Sequence, residues 1–394
     1  MTVYFALIEF LFWFTYGDVV NFASVYLLHC GVSSSGIGVL MALGCVLTVI
    51  AQPILSSYAD SEKSISLKWI IIIPMVALIC SSLALALTPG RSTLMTFVLY
   101  SISVLLVQLL IPFLNALGTE SIRQGMKLNF SAARGIGSVG YAVMAFSMGL
   151  LFSRRSTALQ PWTVIAAAAL FIAALYFYPF KKVSPELSEN AVEGRSSANP
   201  LRFFARYRSF SVALLGWVLL YVSHVFINNY TYQIVTAKGM GSTQMGAAMA
   251  IASLVELPTM FMFTFMLRKA DSSFWFKLSG VFFTLKCLGT LLAWNAASFY
   301  CVQLLQLLGW GLISVASVYY VDSIMGPQDR IKGQSYMIMS YTVGTIIGSL
   351  LGGRLIDVCG VNVMLIVGTV AAAVGTVIVF CAVKKAASGQ TSAD

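Results

Sequence analysis

The sequence predicts an all-α integral membrane protein of twelve transmembrane helices arranged as two six-helix halves. The chain is 59% hydrophobic and only 10% charged, with a mean hydropathy of +0.87, far outside the range of chains that fold in water. Apolar runs of roughly 20 residues, the length that crosses a hydrocarbon core about 30 Å thick, recur along the whole chain. One long polar break, residues 181–208, divides them into six and six.

The runs span residues 3–28, 35–58, 67–88, 93–116, 131–152, 159–180, 209–234, 243–267, 273–293, 298–323, 333–356 and 361–383. The first carries Glu9 and Asp18 and lacks a basic leader, so it reads as a retained helix rather than a secretory signal. The second closes on Gln52-Pro53 and enters a polar loop with Asp60 and Lys63, and Arg91 separates the third from the fourth. Arg123 and Lys127 end the fourth, and Arg154 and Arg155 end the fifth. After the sixth comes KKVSPELSENAVEGRSSANPLRFFARYR, rich in Ser, Pro, Glu and Asn, which reads as a linker. The expected domains are therefore an N-terminal half over 1–180, a cytoplasmic linker over 181–208, and a C-terminal half with a short tail over 209–394. In that second half Lys238, the Arg268-Lys269 pair, and Arg330 with Lys332 fall in the turns. No run alternates at the period of a barrel strand, and all are too long for one, so all twelve are read as helices.

Orientation follows from the cations. With the N-terminus in the cytoplasm, the cytoplasmic side holds seventeen of the 24 Lys and Arg, and the other side holds five: Arg91, Arg154, Arg155, Lys238 and Arg354. Both termini are expected to be cytoplasmic, in a cell-membrane protein. The same bias accounts for the net charge of +10, and its dispersal over short loops argues against nucleic-acid binding. Seven cysteines without CxxC spacing read as small core residues, and no metal-binding or cofactor motif is present.

A faint repeat supports the division into halves. Ser34, Gly38, Met41 and Ala42 recur as Ser242, Gly246, Met249 and Ala250, a constant shift of 208 residues. Parallel repeats of this kind place a solute site between the halves near the membrane midplane. Glycines crowd the fifth run (Gly135, Gly137, Gly140) and the eleventh (Gly344, Gly348, Gly352, Gly353), as expected where helices pack closely in lipid.

Ionisable groups inside apolar helices are costly, by about 2.5–3.5 kcal/mol on insertion scales, so each needs a partner, a cavity or a function. Glu9, Asp18, Arg134, Glu256 and Lys286 are the five that matter. Glu256 and Lys286 lie deep in the eighth and ninth runs and are expected to form a cross-helix pair, for neutralisation or for coupling. Glu9 and Asp18 fall on opposite faces of the first helix. Glu9 shares its face with Trp13 and Tyr16, Asp18 shares its own with Asn21, and Asp18 is expected to line the cavity. Polar stripes mark the seventh run (His224, Asn228, Thr231, Tyr232) and the tenth (Gln303, Gln306, Trp310, Ser314, Ser317). Amides, hydroxyls and aromatic rings aligned this way suit a hydrogen-bonding organic solute, or polar contacts between helices.

Four local patterns resemble the lactose permease branch of the major facilitator superfamily, the oligosaccharide and proton symporters. They are Gln52-Pro53 with Asp60 beyond it, the fifth-helix segment Phe130-Ser-Ala-Ala-Arg134-Gly-Ile-Gly137-Ser-Val-Gly140-Tyr141, Glu256-Leu before a Met/Phe run, and Gly280-x5-Lys286-x2-Gly289. The resemblance implies a twelve-helix secondary transporter in which Arg134 hydrogen-bonds sugar hydroxyls, Tyr141 stacks on the sugar ring and Glu120 completes the clamp. It also implies a co-transported proton and a conformational role for Asp60. The sequence departs from the branch in the tenth helix, where Gln303, Gln306 and Gly309 stand in place of an ionisable relay. Ser56 and Ser61 replace the Gly and Arg of the superfamily's Gly-x-x-x-Asp-Arg loop. Gly353-x-x-x-Asp357 repeats the Gly/Asp spacing at the opposite membrane surface and is read as coincidental.

The resulting expectation is a monomeric, non-enzymatic transporter that imports a sugar or nucleoside-like solute with a cation. Its solute-binding residues are Arg134, Tyr141, Glu120, Asp18, Asn21, His224, Asn228, Gln303, Gln306 and Trp310, and its coupling residues are Glu256, Lys286 and Asp18. A drug exporter of the same fold would carry a Gly-x-x-x-Gly-Pro motif in the fifth helix, where this chain has no proline. A membrane sensor would need a larger soluble domain than this linker.

Overall fold

The structure, a computed structural model, describes residues 1–59, 61, 64–87, 93–181 and 200–383. Asp60, expected to act in gating, and most of the 181–208 linker lie outside the described residues. The N-terminal half comprises α1 (Thr2–Asn21), α2 (Ala23–His29), α3 (Ser34–Ala59), α4 (Leu67–Leu87), α5 (Thr93–Arg123), α6 (Phe130–Arg154) and α7 (Gln160–Phe177). Then follow α8 (Pro200–Arg206), α9 (Arg208–Asn229), α10 (Thr231–Ala237), α11 (Ser242–Met266), α12 (Ser272–Leu292), α13 (Ala296–Gln303), α14 (Trp310–Ile324), α15 (Pro327–Cys359) and α16 (Val361–Ala382). Among the described residues, twelve segments are long and apolar enough to cross a membrane, in the order expected. Large apolar side chains such as Val3, Phe177 and Ile331 stand 85%, 74% and 80% exposed. In hydrocarbon such a surface is solvated, whereas in water it would aggregate.

Three of the crossings are not the continuous helices the hydropathy pattern predicts. The first is interrupted at Phe22 (φ −89°, ψ 5°) and the seventh at Tyr230 (φ −116°, ψ 21°), 208 residues further on. A helix end frees its last carbonyls, and side chains take them up: Gln160 Nε2 donates to the Asp18 carbonyl at 2.6 Å, and Tyr100 Oη to that of Val19 at 2.8 Å. In the seventh crossing Thr231 Oγ1 donates to the Asn228 carbonyl at 3.1 Å. The tenth crossing passes from α13 through a 3₁₀ turn, Leu304–Leu307, to Gly309 (ψ −97°) before α14 begins. The tighter winding breaks the phase of the Gln303–Ser317 stripe, so that it is not one face.

The same shift of 208 relates two helix ends. After α2, Gly31 takes φ +79°, and after α10, Gly239 takes φ +73°. In each, the glycine N–H reaches back to the third-previous carbonyl (Leu28, Thr236), and the next N–H reaches one residue further (Val32 to Leu27, Met240 to Val235). This is a Schellman closure, which needs a left-handed residue that glycine supplies without steric cost.

Two compact units emerge. One holds residues 1–193, 228–254 and 349–361, and the other holds 194–227, 255–348 and 362–394. In the first, α1 packs on α6 and α7, and α4 on α5 and α7. The α1–α6 approach depends on small residues: a Cβ on Gly140 would lie 2.8 Å from the Phe10 Cα, and one on Gly137 would meet the Trp13 ring. The second unit is built on Trp217, Phe276 and Tyr320, all essentially inaccessible, with Gly344 and Gly348 set against Tyr221 and Val225.

Gly140→Val therefore drives α1 off α6, and a loss of about 1–3 kcal/mol is expected from overpacking. Gly241→Ala, where the nearest atom to the new Cβ is Gln244 Oε1 at 3.7 Å, is expected to leave stability unchanged. Unfolding midpoints of the two variants in detergent check the pair.

Candidate functional site

In the first unit a cation, an aromatic face and a carboxylate meet on the α1–α6 seam. Asn129 caps α6, its side chain accepting from Ala132 N at 3.0 Å, and Arg134 follows in the next turn. Its guanidinium lies 4.2 Å from the centroid of the Trp13 ring, a cation–π contact. The Trp13 Nε1–H donates to Glu9 Oε2 at 3.0 Å, and Glu9 is fully buried, with Arg134 the opposite charge that acts on it. Gly137 leaves the space that the Trp13 ring fills, so the Arg134-x-x-Gly137 pattern works as a seat for an α1 tryptophan. Tyr16 continues the aromatic wall, 5.1 Å from Trp13 between centroids.

Tyr141 lies two turns beyond Arg134, its ring beside Gly17. Glu120 pairs with Arg123 of its own helix at 3.5 Å, and that arginine is 69% exposed, so the pair adds little stability. Trp13 and Glu9 are the aromatic and the acid that the structure puts with Arg134. The sequence signal for them is their shared face on α1.

Asp18 sits on the opposite face of α1, against α7. It has no exposed surface, its Oδ2 is 2.6 Å from Thr163 Oγ1, and its Oδ1 has no hydrogen-bond partner among the described residues. Asn21, at the last position of α1, and Asn228, two residues before the Tyr230 break, are both half-buried.

In the second unit the polar side chains converge from α9, α12 and the broken tenth crossing. The His224 ring stacks on Trp310 with centroids 4.6 Å apart and planes 1° from parallel. Lys286, buried on α12, donates from Nζ to Gln306 Oε1. These four side chains, with Phe283 and Gly309 among the others, line a small cavity with room for about one water molecule. Glu256 of α11 acts on Lys286 through its charge and presents its backbone to Gly311. Gln303 is turned onto its own helix, donating to the Phe299 carbonyl at 3.3 Å.

A third polar feature joins first-half and second-half helices within the first unit. Asp357 of α15 accepts from the backbone N–H of Ser34 at 3.2 Å and of Ser35 at 2.7 Å, capping α3 from a distant helix. Tyr230 Oη donates to the Ser349 carbonyl, and Ser253 Oγ to that of Ser138 at 3.0 Å. Gly38 faces the Ser349 backbone, Gly353 that of Ser34 and Gly149 that of Gly246. The Gly353-x-x-x-Asp357 spacing read as coincidental thus has a structural use: the glycine admits the α3 end and the aspartate caps it. Among the described residues there is no group of three or more His, Cys, Asp or Glu able to hold a metal ion.

The sequence matches the MFS_1 like family over residues 3–373. No curated protein matches it in sequence. Among solved structures it is similar to the nucleoside transporter NupG, at 14% identity and a TM-score of 0.78, covering 96% of this chain and 97% of that one. A variant of the same protein gives 15% and 0.81, covering 96% and 98%. A POT family transporter in complex with a thioalcohol-conjugated peptide aligns at 13% identity and a TM-score of 0.72, covering 96% and 95%. A bacterial metal transporter aligns at 13% and 0.67, covering 97% and 98%. At these identities the likeness is one of fold.

Replacing Lys286 with Met leaves the buried Gln306 oxygen without its donor, and a loss of about 1–3 kcal/mol is expected. Adding Gln306→Leu should restore at least half of it. Chemical denaturation of the two singles and the double, read as a cycle, checks this coupling.

Proposed function

Because the chain belongs to the MFS_1 like family and is a membrane transporter of major facilitator fold, we propose that it imports a small polyhydroxylated solute, a sugar or nucleoside, together with a proton. The observation that carries this reading is the Arg134–Trp13–Glu9 cluster. A planar fork donor, an aromatic face and a carboxylate acceptor suit a ligand with hydroxyls on one side and an apolar ring face on the other. The stacked His224–Trp310 pair and the Lys286–Gln306 amide supply the same chemistry in the second unit. A closer kinship with the lactose permease branch is part of this reading; it is supported by the Arg134 to Tyr141 segment, with Trp13 of α1 taking the stacking role that the resemblance gives Tyr141. Asn21, Asn228, Tyr141 and Glu120 are secondary binding positions, and the coupling carboxylates are Glu256, beside Lys286, and Asp18.

Transport by alternating access requires contacts between the two sequence halves that form and break. The Asp357 cap on α3, with the glycine contacts around it, is such a set. With the N-terminus in the cytoplasm of a cell-membrane protein, it faces the outside.

Counterflow into proteoliposomes with a panel of nucleosides, mono- and disaccharides and aromatic acids tests the reading. Uptake of a nucleoside or sugar is expected, and exclusive uptake of aromatic acids would refute it. Arg134→Lys keeps the charge and loses the fork, so a weakening of roughly 10- to 100-fold in solute affinity is expected from 1.5–3 kcal/mol of charge-assisted hydrogen bonding. For the cap, Asp357→Ala should raise maleimide labelling of a Ser349→Cys reporter roughly tenfold in a background without native cysteines.

A further inference from the structure

The hydrogen bonds around Asp18 are one proton short. Thr163 has a single hydroxyl hydrogen, yet its Oγ1 stands 2.6 Å from Asp18 Oδ2 and 2.8 Å from the Gln160 carbonyl oxygen. A hydroxyl has one hydrogen and makes one full-strength hydrogen bond with it. With Asp18 ionised, one of these two close contacts joins oxygens with no hydrogen between them. With a proton on Asp18 Oδ2, both become ordinary bonds: the carboxyl O–H donates to Thr163 Oγ1, and the hydroxyl donates to the Gln160 carbonyl. Both separations lie in the O–H···O range.

The rest of the surroundings agree. Asp18 is fully buried, and its Oδ1 and the Gln160 side-chain oxygen are without partners among the described residues. The titratable group that acts with it is Tyr100 on α5, on which Tyr26 and Cys30, at and after α2, act in turn, with Tyr141 on α6 beside the neighbouring Gly17. All are neutral at neutral pH. From α7, Gln160 and Thr163 supply an amide and a hydroxyl. Glu9 has Arg134 and Glu256 has Lys286 as opposite charges. Glu9 and Arg134 belong to a cluster nine residues back along α1, about 13 Å away. A buried carboxylate with neither a cation nor a full set of donors is held far more cheaply as the acid. Gln160 also lines a small cavity, with Tyr100, Ser82 and Ser103 among others, that has room for about one water molecule.

We propose that Asp18, with Thr163 and Gln160, is the proton-binding site of this transporter, and that the state seen here carries the proton on Asp18 Oδ2. This rests on the reading of the chain as a proton-coupled importer and places the proton on α1 rather than on Glu256.

Infrared spectroscopy of the purified protein in lipid vesicles, titrated with pH in the absence of any solute, tests it directly. The expected result is a protonated-carboxyl C=O band at neutral pH that disappears on alkalinisation, is missing in Asp18→Asn, and survives in Glu9→Gln and Glu256→Gln. Thr163→Val, which removes the hydrogen-bond partner, should move the band to higher wavenumber, and this reads the site even where Asp18→Asn fails to fold. Absence of the band at neutral pH, its persistence in Asp18→Asn, or its loss in Glu256→Gln would overturn the assignment. So would its loss when sodium replaces choline at constant pH, which would make this a sodium site. No solute enters the measurement, so a failed counterflow panel and a failed proton assignment are separate results.

Discussion

Hydrocarbon does not hydrogen-bond, and the need to satisfy every polar group internally shapes this molecule from its helix ends to its sites. The two interruptions at Phe22 and Tyr230 release carbonyls, and side chains from other helices collect those of the first: Gln160 and Tyr100. Those same side chains then form the walls around Asp18. Two pairs of buried ionisable groups follow the same rule. Glu9 is held by Trp13 and faces Arg134, and Lys286 is held by Gln306 and faces Glu256. Helix breaks and charged residues are two forms of one problem, and the fold places them where each can answer the other.

Much of this was legible in the sequence. Run length and hydropathy gave the twelve crossings in order, because the span of a bilayer fixes the length of an apolar helix. The division into repeats shows through four residues at the start of the second run and their counterparts at the start of the eighth. The fuller repeat, with breaks at Phe22 and Tyr230 and left-handed glycines at Gly31 and Gly239, is written in backbone conformation, which dissimilar side chains can share. Hydropathy cannot see a one-residue interruption, since the residues on both sides remain apolar. The tenth crossing hid its 3₁₀ turn for the same reason, and a stripe drawn at 100° per residue lost its meaning there.

At the site, residue type was easier to read than partnership. Arg134, Asp18, Glu256 and Lys286 stood out because charge in an apolar run is rare. Which carboxylate meets Arg134 depends on how α1 crosses α6, and that crossing is set by Gly137 and Gly140. Glu120 enters through family resemblance, and the structure pairs it with Arg123 at a helix end. Asp357 looks like a chance repeat in the sequence because its capping partners, Ser34 and Ser35, lie more than 300 residues away.

The arrangement of α1 bears on how a proton and a solute can be linked. Glu9 and Trp13 look toward α6 and Arg134, whereas Asp18 looks toward α7 and Thr163, about two and a half turns further on. The α1–α6 seam has no slack, since the Gly140 position admits no Cβ against Phe10. Loss of a proton from Asp18 would turn its contact with Thr163 into a competition with the Gln160 carbonyl for one hydrogen, and a negative charge would stand without a counter-ion. If Asp18 binds the proton as proposed, either change would favour a shift of α1 relative to α7. A helix is stiff over so short a distance, so that shift would be felt where Trp13 meets Arg134. Titration on one face of α1 would then act on the contact at the other.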